Sequence, residues 1–256
     1  LKDKKLANSP VSLDKIKIFA DGASLPSILA ATKNPRIAGF TTNPTLMRKD
    51  GVSDYRAFAK EVLAHVRTQP ISFEVFADEF AEMRRQALEI KTWGDNVYVK
   101  IPITNTRGES AIPLVEELAS SGVKLNVTAI CALEQVGAAA KALAGGAPSV
   151  VSVFAGRIAD TGRDPVPLMR DALALCRAAD EGASRPAGAP RGIELLWASP
   201  RELLNIIQAA EVGCDIITVT PDLLKKLDLV GKDLAGYSLE TVQMFFRDAQ
   251  AAGYVL

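Results

Sequence analysis

The stretch Val97-Tyr98-Val99-Lys100-Ile101-Pro102 reads as a short strand with a lysine near its carboxyl end. On either side, Glu79–Thr92 and Ala111–Ser120 space their apolar residues as helices do and carry charged outer faces. The unit recurs along the chain. Strand candidates are Lys17–Ala20, Ile37–Thr41, Ile71–Phe76, Val97–Ile101, Lys124–Val127, Val150–Phe154, Glu194–Trp197 and Ile216–Val219. Several are apolar on both faces, as strands between helices and a packed interior should be. Helical spacing also runs through Tyr55–Val66, Ala132–Leu143, Pro167–Ala179 and Arg201–Glu211. Ser53-Asp54 supplies a helix start, and Ser199-Pro200-Arg201-Glu202 reads as a capping box with proline at the first helical position. Eight such units are the number that closes a parallel barrel, so the expected fold is an α/β (β/α)8 TIM barrel.

The bulk properties agree with one barrel domain over residues 1–256, with an N-terminal segment 1–15 and a C-terminal helix within 231–256. Hydrophobic residues make up 48% and charged residues 23%, enough to bury a large core. Thirty basic and thirty acidic residues cancel, which excludes a global field for nucleic acid or an anionic membrane and leaves any anion site local. No apolar run reaches the roughly 18 residues of a membrane span, and the Lys-rich Leu1–Pro10 start has no apolar core behind it. Cys131, Cys176 and Cys214 each lie in an apolar stretch and read as small buried hydrophobes in a reducing, cytosolic setting. Glu181–Gly192, rich in Gly, Ala and Pro, reads as a surface loop before the seventh strand. The greasy tail, with Leu239, Val242, Met244, Phe245 and Phe246, reads as a helix that packs on the barrel or on a neighbouring subunit.

In a parallel barrel the chemistry collects at the carboxyl ends of the strands. Those ends carry Asp21, then Thr41 and Asn43, Glu74, Lys100, Asn126 and Thr128, Ser152 and Arg157, and Ser199 and Arg201. Alternation puts Asn126 and Thr128 on one face and pairs Tyr98 with Lys100 and Ser152 with Phe154. Taken alone, Lys100 is a salt-bridge partner or a snorkelling residue. Its apolar neighbours Val99 and Ile101-Pro102 instead point to an amine of lowered pKa, ready for carbonyl attack. Two carboxylates near such an amine are what iminium chemistry requires, because protons must move on and off the carbinolamine and a substrate hydroxyl. Asn43 and Ser199 read as caps, and a capped helix start with Arg201 and Arg157 nearby makes a phosphate clamp. The single histidine, His65, lies in a helix away from the strand ends, which argues against His-based metal sites and triads. No Gly-rich phosphate loop follows a strand, which argues against a nucleotide cofactor.

Four segments carry a resemblance: Gly39-Phe40-Thr41-Thr42-Asn43-Pro44-Thr45-Leu46, Val99-Lys100-Ile101-Pro102, Asn126-Val127-Thr128 and Phe154-Ala155-Gly156-Arg157-Ile158. With Trp197-Ala198-Ser199 they resemble the transaldolase family in its short form, which includes the fructose-6-phosphate aldolases. The resemblance runs from about Ile16 to the C-terminus and implies a barrel of the class I aldolase type without metal or cofactor. It implies that Lys100 forms a Schiff base with a ketose phosphate and that Asp21 is the acid/base of carbon–carbon cleavage. Glu74 and Thr128 would hold a proton-shuttling water, with Asn43 and Asn126 orienting the dihydroxyacetone unit. Thr41, Ser152 and Phe154 would line the site, while Arg157, Ser199 and Arg201 take the phosphate.

The resemblance also bears on the branch. Aldolases of this family usually place Gln and Tyr where this sequence has Glu74 and Phe154, so transfer to an aldose phosphate is expected over release. A phenyl ring cannot hold the water that assists release. Alternatives are a fructose-6-phosphate aldolase, a transaldolase for a modified or longer sugar, and a non-catalytic sugar-phosphate binder on the same fold. Short family members typically form rings of five or ten subunits through C-terminal helices, so a homo-oligomer is expected too.

Overall fold

The computed structural model of the protein describes residues 13–183 and 192–255. Eight parallel strands close a barrel in chain order: β1 (Lys17–Asp21), β2 (Ile37–Thr41), β3 (Ile71–Glu74), β4 (Val97–Pro102), β5 (Leu125–Ile130), β6 (Ser149–Val153), β7 (Ile193–Trp197) and β8 (Ile216–Val219). β8 returns to β1, with Phe19 in register with Thr218. The helices are α1 (Leu25–Thr32), α2 (Pro44–Lys49), α3 (Tyr55–His65), α4 (Phe80–Lys91), α5 (Ile112–Ser120), α6 (Leu133–Leu143), α7 (Ala155–Ala159), α8 (Pro165–Glu181), α9 (Leu204–Val212), α10 (Pro221–Leu224) and α11 (Leu234–Ala252). The expected TIM barrel is therefore present.

Period-two alternation sorts each strand between two cores. Val99, Ile101, Val127, Val151, Leu195, Trp197 and Ile217 join the large core shared with the helices. Phe19, Val150, Leu196, Ala198 and Ile216 form a separate inner plug, with Tyr98 and Phe154 against it. Gly39 completes the plug, because a Cβ there would stand 2.6 Å from the Phe19 ring. The plug fills the barrel beneath the strand ends and makes a floor for a cleft.

Local chemistry explains several helix starts. Asp54 accepts a hydrogen bond from the Ala57 amide at the head of α3, and Asn43 accepts from the Leu46 amide at the head of α2. Proline occupies the first turn of α2 and α8, where a missing N–H costs nothing. Short helices α1, α2 and α7 carry too few turns to show a helical period and are absent from the sequence reading.

Other expectations need correction. Ser199-Pro200-Arg201-Glu202 is not a capping box, because α9 begins only at Leu204 and Ser199 adopts a left-handed backbone (φ 61°). Asn205 does the binding there, its side-chain oxygen accepting from the Arg201 and Glu202 amides. β3 stops at Glu74 rather than Phe76, and Phe154 precedes α7 rather than ending β6. β5 runs on to Ile130 through an irregularity at Ala129, whose φ is 62°. Cys131 is exposed, whereas Cys176 and Cys214 are buried as expected. The tail does form α11, but it does not pack on the barrel: none of its residues is buried, and Leu239, Val242, Phe245 and Phe246 are more than half exposed. The Leu1–Pro10 start and residues 184–191 of the Glu181–Gly192 stretch lie outside the described residues. No described helix is long and apolar enough to cross a membrane.

Candidate active site

A cleft of about 520 Å³ opens at the carboxyl ends of the strands. Its lining includes all twelve residues expected from the sequence: Asp21, Thr41, Asn43, Glu74, Lys100, Asn126, Thr128, Ser152, Phe154, Arg157, Ser199 and Arg201. They come from seven strand ends, so closure of the barrel is what brings them together.

Lys100 and Glu74 are register partners on β4 and β3. The Lys100 amine lies 3.0 Å from Glu74 Oε2 and donates to the Thr42 carbonyl at 2.9 Å. The lysine side chain is 7% exposed and that of Glu74 18%, so the pair is nearly withdrawn from water. One sequence inference fails here. Val99 and Ile101 face the helices, not the amine; a carboxylate and a carbonyl surround it instead. Tyr55 steadies Glu74 from behind by donating to its backbone carbonyl at 2.8 Å.

Asp21 accepts a hydrogen bond from the Thr41 hydroxyl at 2.7 Å, and Thr41 also contacts the Thr218 hydroxyl. Burial pushes the Asp21 carboxyl above its ordinary value of 3.8, against the opposing pull of Lys100 and of the Thr41 hydrogen bond; Glu74 adds to the rise. A carboxyl so placed holds its proton to higher pH than a surface aspartate does.

On the opposite wall Asn126 is held at both ends. Its oxygen accepts from Ser152 at 2.7 Å and its amide nitrogen donates to Ser72 at 3.0 Å. One N–H remains for a ligand. The Thr128 hydroxyl is buried and has no partner, although it lines the cleft. An orphan of this kind marks a socket for a water or a substrate hydroxyl.

At the rim, Arg157 lies over the Phe154 ring with 5.8 Å to its centroid. Arg201 is held by Asp160 through two bonds of 2.9 and 2.5 Å and donates to Ser199 Oγ at 3.0 Å. Gly156 lets these two loops meet, since a Cβ there would fall 1.6 Å from the Ser199 carbonyl oxygen. The rim can thus grip an anion while the floor carries an amine, two carboxyls and amide groups. Among the described residues no cluster of His, Cys, Asp and Glu is arranged to hold a metal ion.

Sequence reasoning missed Thr218, Ser72, the Thr42 carbonyl and Asp160. β8 yielded no polar strand-end candidate, yet Thr218 faces the cleft from it. Its signal was a hydroxyl two residues past inward-facing Ile216.

The family model described as Transaldolase/Fructose-6-phosphate aldolase matches residues 18–255. The chain belongs to the transaldolase/fructose-6-phosphate aldolase family. Curated relatives within reach of that family's sequences include a "Probable transaldolase" of Dehalococcoides mccartyi, 34% identical over 212 residues, or 83% of this chain and 90% of the relative. A protein of the same name from Methanococcus maripaludis is 35% identical over 214 residues, covering 83% and 89%. A crystal structure from Burkholderia cenocepacia J2315, carrying a phosphonomutase name, superposes with a TM-score of 0.52 over 96% of this chain and 95% of the other. At 13% identity that likeness shows the barrel alone. The family match also agrees with the resemblance read from the Thr-Thr-Asn-Pro-Thr and Lys-Ile-Pro segments.

Proposed function

We propose that this family member is a transaldolase that moves a dihydroxyacetone unit from a ketose phosphate to an aldose phosphate through a Schiff base on Lys100. The observation that carries the reading is the buried Lys100 amine on the floor of the cleft, 3.0 Å from Glu74 and beneath a rim of two arginines.

The donor carbonyl carbon accepts the Lys100 electron pair; one proton of the nitrogen passes to Glu74 and another to the carbonyl oxygen, giving the carbinolamine. Loss of water from the carbinolamine, with a proton returned through the Thr128 socket, leaves an iminium. Asp21 then takes the proton of the donor's C4 hydroxyl. The C3–C4 bond breaks, its electron pair flows into the iminium as an enamine, and the aldose product leaves as an aldehyde. The acceptor aldehyde enters, the enamine attacks its carbonyl carbon, and Asp21 returns the proton to the new hydroxyl. Hydrolysis of the iminium frees Lys100. Asn126 and Asn43 orient the dihydroxyacetone hydroxyls, while Arg157, Arg201 and Ser199 take the phosphate.

Transfer is favoured over simple aldol cleavage because Phe154 lines the cleft where a hydroxyl would be needed to seat a protonating water. The exposed apolar side of α11 is read as a contact with further copies of the chain. The buried, free thiols of Cys176 and Cys214, each pushed up to about 12 by burial, fit a reducing cytosolic setting.

Borohydride trapping with fructose 6-phosphate, read by mass, tests the reading. An adduct on Lys100 and its absence in Lys100→Ala are expected, with transfer to erythrose 4-phosphate lost in the variant. A saturating ketose phosphate that leaves no adduct on the wild type overturns it. Free dihydroxyacetone released without acceptor as fast as transfer proceeds would favour the aldolase instead.

A further inference from the structure

Thr218 is 5% exposed on β8, in register with Phe19 one strand over, and its hydroxyl meets that of Thr41 on β2 across the β1 strand. Packing alone does not call for a hydroxyl here. The inward-facing β8 position before it is Ile216, also buried, and a valine would fill the same volume on the same strand. With Asp21 ionised, the proton count sets which way the contact runs. Thr41 has a single hydroxyl proton, and it lies on Asp21 Oδ1 at 2.7 Å. An ionised carboxylate only accepts, so Thr41 must accept from Thr218, and Thr218 is the donor.

We propose that Thr218 is a positioning residue for Asp21: its hydroxyl donates to Thr41 and so holds the Thr41 proton on the Asp21 carboxylate in its ionised, proton-accepting state. The proposal rests on the assignment of Asp21 as the acid/base of carbon–carbon cleavage. Each donor in such a chain polarises the next, and the carboxylate at its end gains most because bonds to a charged acceptor are the strongest. Thr218 thereby acts through Thr41. It counters the desolvation that drives Asp21 toward its neutral form. Removal of this one hydroxyl weakens the ionised state more than the neutral one, so Asp21 becomes harder to ionise and also loses one restraint on its orientation.

Thr218→Val and Thr218→Ser test this, with Thr218→Ala as a second deletion of the hydroxyl should valine not fold. Transfer kinetics across pH and the rate of borohydride-trapped adduct formation on Lys100 are the readouts. In Thr218→Val we expect kcat to fall about tenfold, KM for the donor to stay within about twofold, and the acid limb of kcat to move to higher pH. Adduct formation on Lys100 should keep its wild-type rate, because that step does not use Asp21. Thr218→Ser should restore kcat and the limb. An unmoved limb in Thr218→Val, or Thr218→Ser as impaired as Thr218→Val, overturns the proposal. Asp21→Asn serves as the control on the reading beneath it: an Asp21→Asn enzyme with wild-type kcat defeats the assignment of Asp21 itself, whatever Thr218 does.

Discussion

Lys100 and Glu74 stand opposite each other in the β3–β4 register, and their charged groups meet at 3.0 Å in a nearly dry site. Register alone brings them together, since parallel neighbours on the inner face share one direction. The pair is costly to desolvate and contributes little net stability, yet removal of one member strands the other charge. Such pairs persist where a proton must be exchanged.

Glu74→Gln should separate those roles. The amide still accepts from Lys100 but cannot take its proton, so borohydride-trapped adduct formation is expected to slow by about 100-fold. Phosphate binding at the rim should not change. Adduct formation at the wild-type rate would make Glu74 an ion-pair partner only.

The Asp21 carboxyl predicts an opposite trade between stability and activity. Its folded value is raised, so its contribution to stability is fully present below the ordinary value of 3.8 and is lost as pH rises through the raised one. At neutral pH the buried charge is therefore a burden on the fold. Asp21→Asn should raise Tm at pH 7 to 8, with a gain that shrinks toward pH 4, while abolishing transfer. Thermal melts of both proteins across that range check it; a Tm gain that grows on acidification would contradict the sign.

Gly156→Ala drives a methyl group onto the Ser199 carbonyl, 1.6 Å from the ideal Cβ position. The α7 and Ser199 loops must move apart, at a cost of about 1–3 kcal/mol. Since Arg157 and Arg201 ride on those loops, KM for phosphorylated donors should rise while turnover of an unphosphorylated ketose such as fructose falls less. Equal losses for both donors would place the damage on the floor of the cleft rather than its rim.

Arg201 and Asp160 call for a double-mutant cycle. With Arg201→Ala the Asp160 carboxylate faces the phosphate without its partner and repels it, whereas Arg157 has no carboxylate within ion-pair distance among the described residues. Arg201→Ala should therefore raise KM for phosphorylated donors more than Arg157→Ala does. Adding Asp160→Asn to Arg201→Ala should recover part of the loss, by a coupling measurable beyond about 0.5 kcal/mol. Strict additivity would leave Asp160 without influence on the phosphate.

Much of this site was legible before folding. Strand periods of two and helix periods of 3.6 are local, so Val97–Ile101 and its seven counterparts declare themselves, and polar residues at their carboxyl ends form a short list. Eight strands imply closure, and closure implies that Asp21, Glu74, Lys100, Asn126 and Thr128 share one mouth. Reading failed where local signals admit two structures. Ser199-Pro200-Arg201-Glu202 has the composition of a cap, but Asn205 competes for the same amides and wins, so the helix starts later. The apolar run in α11 declares a buried face, and among the described residues nothing supplies the surface that would cover it.

By itself, the sequence determined the strand count and most of the polar residues at the strand ends, because each follows from spacing along one element, while its motifs carried the resemblance to the family. Only the tertiary structure decided which polar atom meets which. Lys100 finds a carboxylate and the Thr42 carbonyl rather than Val99 and Ile101, since a strand turns its neighbours to the opposite face. Thr218 and Thr41, 177 positions apart, meet because β8 closes on β1. No local period reports a contact made by closure, and the state of Asp21 depends on that contact.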